Sequence, residues 1–115
     1  MRNDSSEIGA GPTYQTRIHS LDPTCADVRI EFDGLPTGVE VRGRLMGPRC
    51  PGVSTVEVAY HLRRLGPESP ATYQVLIPEP NLWAPEHPFR YEGPVEFWQN
   101  GELTGKLTVS LGLRS

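Results

Sequence analysis

Apolar residues recur at every second position along most of this chain. Val28, Ile30 and Phe32 alternate with polar and charged neighbours, as do Val39, Val41, Gly43 and Leu45, and Val56, Val58, Tyr60 and Leu62. Tyr73, Val75 and Ile77 continue the pattern, followed by Phe89, Tyr91, Gly93, Val95 and Phe97, and by Leu107, Val109, Leu111 and Leu113. A period of two puts one set of side chains on one face of an extended segment, so each run predicts a strand with a single buried face. Thr16-Arg17-Ile18-His19 offers a weaker first strand, which brings the expected number to seven. Between the strands stand Asp33-Gly34-Leu35-Pro36-Thr37-Gly38, Gly47-Pro48-Arg49-Cys50-Pro51-Gly52, Gly66-Pro67-Glu68-Ser69-Pro70 and Asn100-Gly101, all turn-forming sequences. The fold expected is all-β, an antiparallel sandwich.

Charge on the outward faces bears on how the strands pair. Setting Leu45 opposite Val56 places Arg44 against Glu57 and Glu40 against His61, complementary contacts worth at most ~1 kcal/mol each, and predicts a tight hairpin. Setting Phe32 opposite Val39 places Glu31 against Glu40 and Arg29 against Arg42, and like charges directly opposite destabilise. Either the register shifts by two or the second and third strands lie in different sheets, and the second arrangement is the one expected, with three strands in one sheet and four in the other. That is a seven-stranded immunoglobulin/fibronectin III-like β-sandwich. At the last hairpin, a two-residue Asn100-Gly101 turn alone would set Phe97 against Thr104, a core position against a polar one. A three-residue loop with Gly101 left-handed in a bulge, Phe97 facing Leu103 and Tyr91 facing Val109, is the expectation.

Composition narrows the class. Twelve glycines, twelve prolines and one lysine, Lys106, beside ten arginines argue against long helices. Residues 1–13 are polar and are expected to form a disordered leader, with residues 14–115 as one domain. A formal net charge of −3 and a pI near 5.6 give no nucleic-acid footprint. No apolar run approaches the ~20 residues of a membrane helix, and none follows the N-terminus as a signal-peptide core would. No membrane association is expected, and a cytoplasmic location by default. Cys25 and Cys50 are isolated, with no Cys-x-x-Cys pair and no histidine at zinc-finger spacing, so two free thiols, no metal and no cofactor are expected.

The most specific stretch is Ile77-Pro78-Glu79-Pro80-Asn81-Leu82-Trp83-Ala84-Pro85-Glu86-His87-Pro88-Phe89-Arg90-Tyr91. Its four prolines forbid a helix and favour an extended, polyproline-like crossover that lays Leu82 and Trp83 onto the sandwich, with Trp83 in the core. Together with the later Gly112-Leu113-Arg114, it resembles the immunoglobulin-like domain of family 2 glycoside hydrolases, the β-galactosidase, β-glucuronidase and β-mannosidase type. The pattern there is Leu-Trp-Ser-Pro-Glu-Asn-Pro, an apolar residue, a tyrosine and, later, Gly-Phe-Arg. Leu82, Trp83, Pro85, Glu86, Pro88, Tyr91, Gly112 and Arg114 fit it. Ala84, His87, the extra Arg90 and Leu113 depart from it. The resemblance implies a non-catalytic domain that joins a sugar-binding jelly roll to a catalytic barrel. Both catalytic glutamates of those enzymes lie in the barrel, beyond the Gly-Phe-Arg element, and this sequence stops at Ser115. Arg114 is then expected to be a solvated arginine.

The acidic row Glu92, Glu96 and Glu102 gives no glycosidase pair. Strand rise puts Glu92 and Glu96 about 13 Å apart, beyond the roughly 5–9.5 Å that such pairs span. Glu96 and Glu102, read as diagonal neighbours, lie on an open face that cannot raise one carboxyl pKa. Glu86 and His87 are adjacent only in sequence. No catalytic residue is assigned. Trp98 is out of phase with the core set Tyr91, Val95 and Phe97, so its indole is expected to face outward beside Gln99 and Asn100. There it would stack on a sugar, anchor a protein, or pack over the Glu102 side chain. Arg42, Arg44 and Arg63, interleaved with Glu40 and Glu57, read as a salt-bridged face rather than a phosphate site. The expected function is a non-catalytic accessory module, a spacer or scaffold whose partners are neighbouring glycoside hydrolase domains. The alternative is a free-standing module that binds a protein partner or, weakly, carbohydrate.

Overall fold

The computed structural model describes residues 11–66 and 71–114. Among them are eight strands and no helix: β1 (Thr13–Asp22), β2 (Cys25–Asp33), β3 (Glu40–Arg49), β4 (Val58–His61), β5 (Arg63–Arg64), β6 (Thr72–Pro78), β7 (Arg90–Gln99) and β8 (Glu102–Leu111). They form two four-stranded antiparallel sheets, in the orders β1-β2-β6-β5 and β4-β3-β7-β8. Residues 1–10 of the expected leader, and the expected turn at 67–70, lie outside the described residues. The first strand begins at Thr13 and is longer than the segment expected at 16–19.

The alternating residues build the core. Val28, Ile30, Tyr73, Val75 and Ile77 from one sheet and Val41, Leu45, Tyr91, Val95, Phe97 and Val109 from the other are buried in a single cluster. Phe32 joins the sheets, its ring edge-on to Phe97 at 5.5 Å and to Tyr73 at 5.9 Å. Edge-to-face pairs of this kind add about 0.5–1.5 kcal/mol to the area they bury. The second and third strands do lie in different sheets, the expected one of the two ways to part their like charges.

Eight strands replace the expected seven because the run from Val56 to Leu62 changes sheets. Val58–His61 pairs with β3, whereas Arg63 and Arg64 pair with β6. Leu62 lies between them, donating its amide to the Gly43 carbonyl at 3.0 Å and packing against the core. The two sheets therefore have four strands each, not three and four. This switch also splits the expected arginine face: Arg63 belongs to the sheet opposite that of Arg42 and Arg44.

The expected register of the third and fourth strands is wrong. Arg44 lies opposite His61 and Leu45 opposite Tyr60, leaving Val56 outside the ladder and 87% exposed. The cause is the position of the turn. Strand β3 runs through Pro48 to Arg49, and the chain reverses at Cys50-Pro51-Gly52-Val53, where Val53 N–H donates to the Cys50 carbonyl at 3.1 Å and Gly52 has φ +75°. Proline second and glycine third are the residues such a turn selects. Glu57 consequently pairs with Arg49 at 2.8 Å, and Glu40 with Arg42 on its own strand at 2.8 Å.

The last hairpin also differs from expectation. Asn100 and Gly101 both have positive φ, 54° and 76°, which makes a two-residue loop of the mirror-image type closed by Gln99 and Glu102. The extra residue sits further along, between the pairs Trp98–Leu103 and Phe97–Gly105. It is Thr104, whose hydroxyl donates to the Phe97 carbonyl at 3.1 Å. This bulge keeps Val95, Phe97, Leu107 and Val109 on one face, which the sequence argument demanded but placed in the loop. With it, Glu96 lies opposite Lys106, and Glu102 lies opposite Gln99 at the tip, so the two carboxylates are not diagonal neighbours.

A second bulge falls at His19 in β1, between Ile18 and Ser20. It changes the phase of the strand, so that Tyr14, Ile18 and then Leu21 all reach the core. Bulges at His19 and Thr104, with only four and two residues in β4 and β5, interrupt or shorten every outer strand. Such features disfavour edge-to-edge pairing with other chains. Cys25 and Cys50 are unbridged, the first half-buried and the second buried.

Gly101 has open space around it, so its conformation alone restricts substitution. Gly101→Val places a β-branched residue at positive φ and is expected to lower stability by about 1 kcal/mol or more. A chemical melt comparing the variant with the parent chain checks this, and an unchanged midpoint contradicts it.

Candidate functional site

The antiparallel geometry of the sandwich brings the ends of β2, β3, β6, β7 and β8 to two poles. Antiparallel pairing places Cys25 beside Pro78, and Tyr91 beside Leu111, so the turn after β1, the 79–89 connection and the chain beyond β8 share one end. Thr13, paired with Asp33, starts at the open end of the β1–β2 hairpin.

The connection is tied down in steps. Glu79, left-handed at φ 47°, donates its amide to the Thr24 carbonyl at 3.0 Å. Two residues later, the Asn81 amide donates to the Tyr91 hydroxyl at 3.0 Å. Tyr91 is 1% exposed, so its ring is core and its hydroxyl serves the backbone. Burial pushes this phenol above its ordinary pKa, partly offset by the Asn81 amide. The chain then folds back on itself: Trp83 bridges to Pro88, and Ala84 and His87 exchange amide-to-carbonyl bonds of 3.1 and 3.0 Å. Pro85 and Glu86 occupy the tip of this turn. The expected extended, polyproline-like crossover is thus a tight reversal, because proline also suits the second position of a turn. His87 stacks on Phe89 at 6.1 Å, apart from any partner that would make Glu86 and His87 an acid/base pair.

Trp83 is not in the core. It is half-buried, and Leu82 before it is 47% exposed rather than laid onto the sandwich. What Trp83 does instead is hold the last residues described. Its amide donates to the Leu113 carbonyl at 2.8 Å, and its ring lies against Gly112. A Cβ at Gly112 would stand 2.7 Å from Trp83 Cδ1. Leu113 is fully buried, and the Arg114 guanidinium sits 4.6 Å from the indole centroid. Arg114 is exposed but not simply solvated; a cation over an indole at an exposed site contributes about 0.5–1 kcal/mol. Trp83, Pro85, Glu86, Pro88, Tyr91, Gly112 and Arg114 therefore make one assembly. Leu82 is exposed beside it, and Gly101 lies at the opposite end of β7 and β8.

Trp98 does face outward, on the same side of its sheet as Arg42 and Glu96. It is not an open platform. The Arg42 guanidinium lies 4.7 Å from the indole centroid, and Trp98 Nε1–H donates to Glu96 Oε1 at 3.0 Å. Arg42 in turn holds the Glu40 carboxyl below its usual pKa range through their hydrogen bond. The cover on the ring is thus Arg42, and not the side chain of Glu102. Gln99 reaches away, its amide donating to the Thr37 carbonyl at 3.0 Å, and Asn100 is exposed at the tip. The structure places these three residues in sequence but does not converge them on one point.

One polar cluster has no counterpart in the sequence reading. Arg49 binds both Glu57 and Glu92, at 2.8 and 3.3 Å. Ser110 donates to Glu92 at 3.0 Å, accepts from Arg90 at 2.9 Å, and gives its amide to the Tyr14 hydroxyl at 3.2 Å. The row spans β3, β7 and β8 and ties them to β1 in the other sheet. It became visible only with the true turn position, which brings Glu57 to Arg49. Among the described residues, no group of three or more His, Cys, Asp or Glu side chains is placed to hold a metal, and no helix is long and apolar enough to cross a membrane.

The family model of glycosyl hydrolases family 2 matches residues 13–114. No curated protein gives a significant match.

Two substitutions test the assembly. Tyr91→Phe leaves the Asn81 amide without its partner and is expected to cost about 1–3 kcal/mol while sparing the packing of the ring. An equilibrium melt within error of the parent chain would contradict this. Gly112→Val drives a side chain into the indole and should free Trp83; in a Trp98→Phe background the emission is expected to shift to the red. Unchanged emission would show that the contact does not hold Trp83.

Proposed function

Because this chain belongs to glycosyl hydrolases family 2, we propose that it is a non-catalytic, immunoglobulin-like module of that family, a spacer or scaffold that sets the orientation of neighbouring domains. The strand orders β1-β2-β6-β5 and β4-β3-β7-β8 correspond to the A-B-E-D and C′-C-F-G sheets of immunoglobulin-like sandwiches. Tyr91, at the start of the strand equivalent to F and bonded to a backbone amide ten residues upstream, corresponds to the tyrosine corner of such folds.

The observation that carries the proposal is the latch on the last residues. A spacer works only if the chain leaves it in a fixed direction, and Leu113 and Arg114 are held by a backbone hydrogen bond, a buried side chain and a stacked guanidinium. The entering strand is fixed to the same part of β8, since the Tyr14 hydroxyl, one residue after Thr13, accepts the Ser110 amide at 3.2 Å.

The carboxylates support the non-catalytic part of this reading. Glu92 is engaged by Arg49 and Ser110, Glu96 by Trp98 opposite Lys106, and Glu102 sits at an exposed hairpin tip. Glu92 shares a groove with Glu57, but the Arg49 guanidinium holds both carboxylates in ion pairs there, so neither is set up as the protonated acid that glycoside hydrolysis needs. Sugar binding at Trp98, Gln99 and Asn100 is the weaker reading, since stacking requires the ring face that Arg42 covers.

The purified chain is expected to leave aryl β-galactosides, β-glucuronides and β-mannosides unchanged. Turnover that Glu96→Gln or Glu102→Gln abolishes would contradict the proposal. Quenching of tryptophan emission by millimolar oligosaccharide, lost in Trp98→Ala, would favour the carbohydrate-binding reading instead.

A further inference from the structure

We propose that Asn100 is a site of spontaneous deamidation in the folded protein, which converts the β7–β8 hairpin tip into an aspartyl or isoaspartyl form. This inference is independent of the proposed function.

The geometry offers the reacting groups. The ladder between β7 and β8 closes at Gln99 and Glu102, so the peptide unit joining Asn100 to Gly101 lies beyond the last paired residues. Both residues are exposed. Gly101 has no side chain, and nothing lies within 4 Å of the place where a Cβ would stand, so its nitrogen is unshielded. No hydrogen bond among the described residues engages the Asn100 carboxamide. The side chain before the reacting pair, Gln99, is bonded to the Thr37 carbonyl.

The reaction needs only water. The Gly101 nitrogen, giving up its proton to solvent base, attacks Cγ of Asn100 and forms a C–N bond. The Cγ–Nδ2 bond breaks and the side-chain nitrogen leaves as ammonia, having taken up a proton. A five-membered succinimide remains. Water then adds to one of its two carbonyls and opens the ring, giving aspartate if the original main chain is restored and isoaspartate if the chain is rerouted through the side-chain carbon.

Either product changes the hairpin. Each adds one negative charge to a chain whose formal net charge is already −3, at a tip that carries Glu102. Isoaspartate also adds a carbon to the main chain of a two-residue loop, whose geometry both Asn100 and Gly101 meet with positive φ. The pair Trp98–Leu103 and the Thr104 bulge, which keep Phe97 and Leu107 on the core face, begin directly behind that loop.

The test is incubation of the folded chain at mildly alkaline pH, with peptide mapping and enzymatic methyl labelling of isoaspartate. The expected result is loss of one ammonia per chain, an accumulating acidic variant, and label at Asn100, but not at Asn81, whose following residue is Leu82. Asn100→Asp, which has no carboxamide to lose, should gain no such variant. If Asn100 stays intact in the folded chain over a period in which the urea-unfolded chain converts, the turn protects it and the proposal is overturned. Label elsewhere with Asn100 intact overturns it as well.

Discussion

The hydrogen bond from the Asn81 amide to the Tyr91 hydroxyl is the constraint on which the C-terminal end of this molecule depends. The 79–89 connection crosses between sheets with little ladder of its own, and its prolines cannot donate main-chain hydrogen bonds. A buried tyrosine ring fixed in the core supplies the missing anchor. Once Asn81 is held, the reversal at 84–87 presents Trp83 to the chain leaving β8, and Gly112 leaves room for the indole. Leu113 and Arg114 then complete the arrangement from the other side.

Much of the fold was legible in the sequence. The period of two identified the strands and their buried faces, and the opposition of Glu31 to Glu40 and Arg29 to Arg42 correctly separated β2 from β3. Periodicity, however, is silent about which sheet a strand joins, so the crossing of the chain at Leu62 could not be read from Val58, Tyr60 and Leu62. Each of those residues can face the core on either side of the switch. Bulges are hidden for a related reason. Val95 and Leu107 stay on one face whether the extra residue sits in the loop, setting Val95 against Gly105, or further along the strand, setting it against Leu107, and only the observed pairing distinguishes Thr104 from Gly101.

The candidate site was legible as a motif and not as a contact. Trp83, Pro85, Pro88, Tyr91, Gly112 and Arg114 were singled out by resemblance, while the four prolines were read as an extended run that laid Trp83 into the core. Proline restricts φ in both extended and turn conformations, so its presence left that choice open. Asn81 was overlooked because it contributes a main-chain amide, which every residue but proline has. The cover of Arg42 on Trp98 was likewise out of reach, since strand phase places both outward without saying that they touch.

Taken with membership of glycosyl hydrolases family 2, these features describe a sandwich whose exit is part of its structure. Hydrogen exchange at the Trp83 amide tests this most directly, because that amide donates to the Leu113 carbonyl and reports on the latch itself. The account predicts slow exchange at Trp83, lost when residues 112–115 are removed while the amides of β2 stay protected. Rapid exchange at Trp83 in the intact chain, with β2 protected, would contradict it.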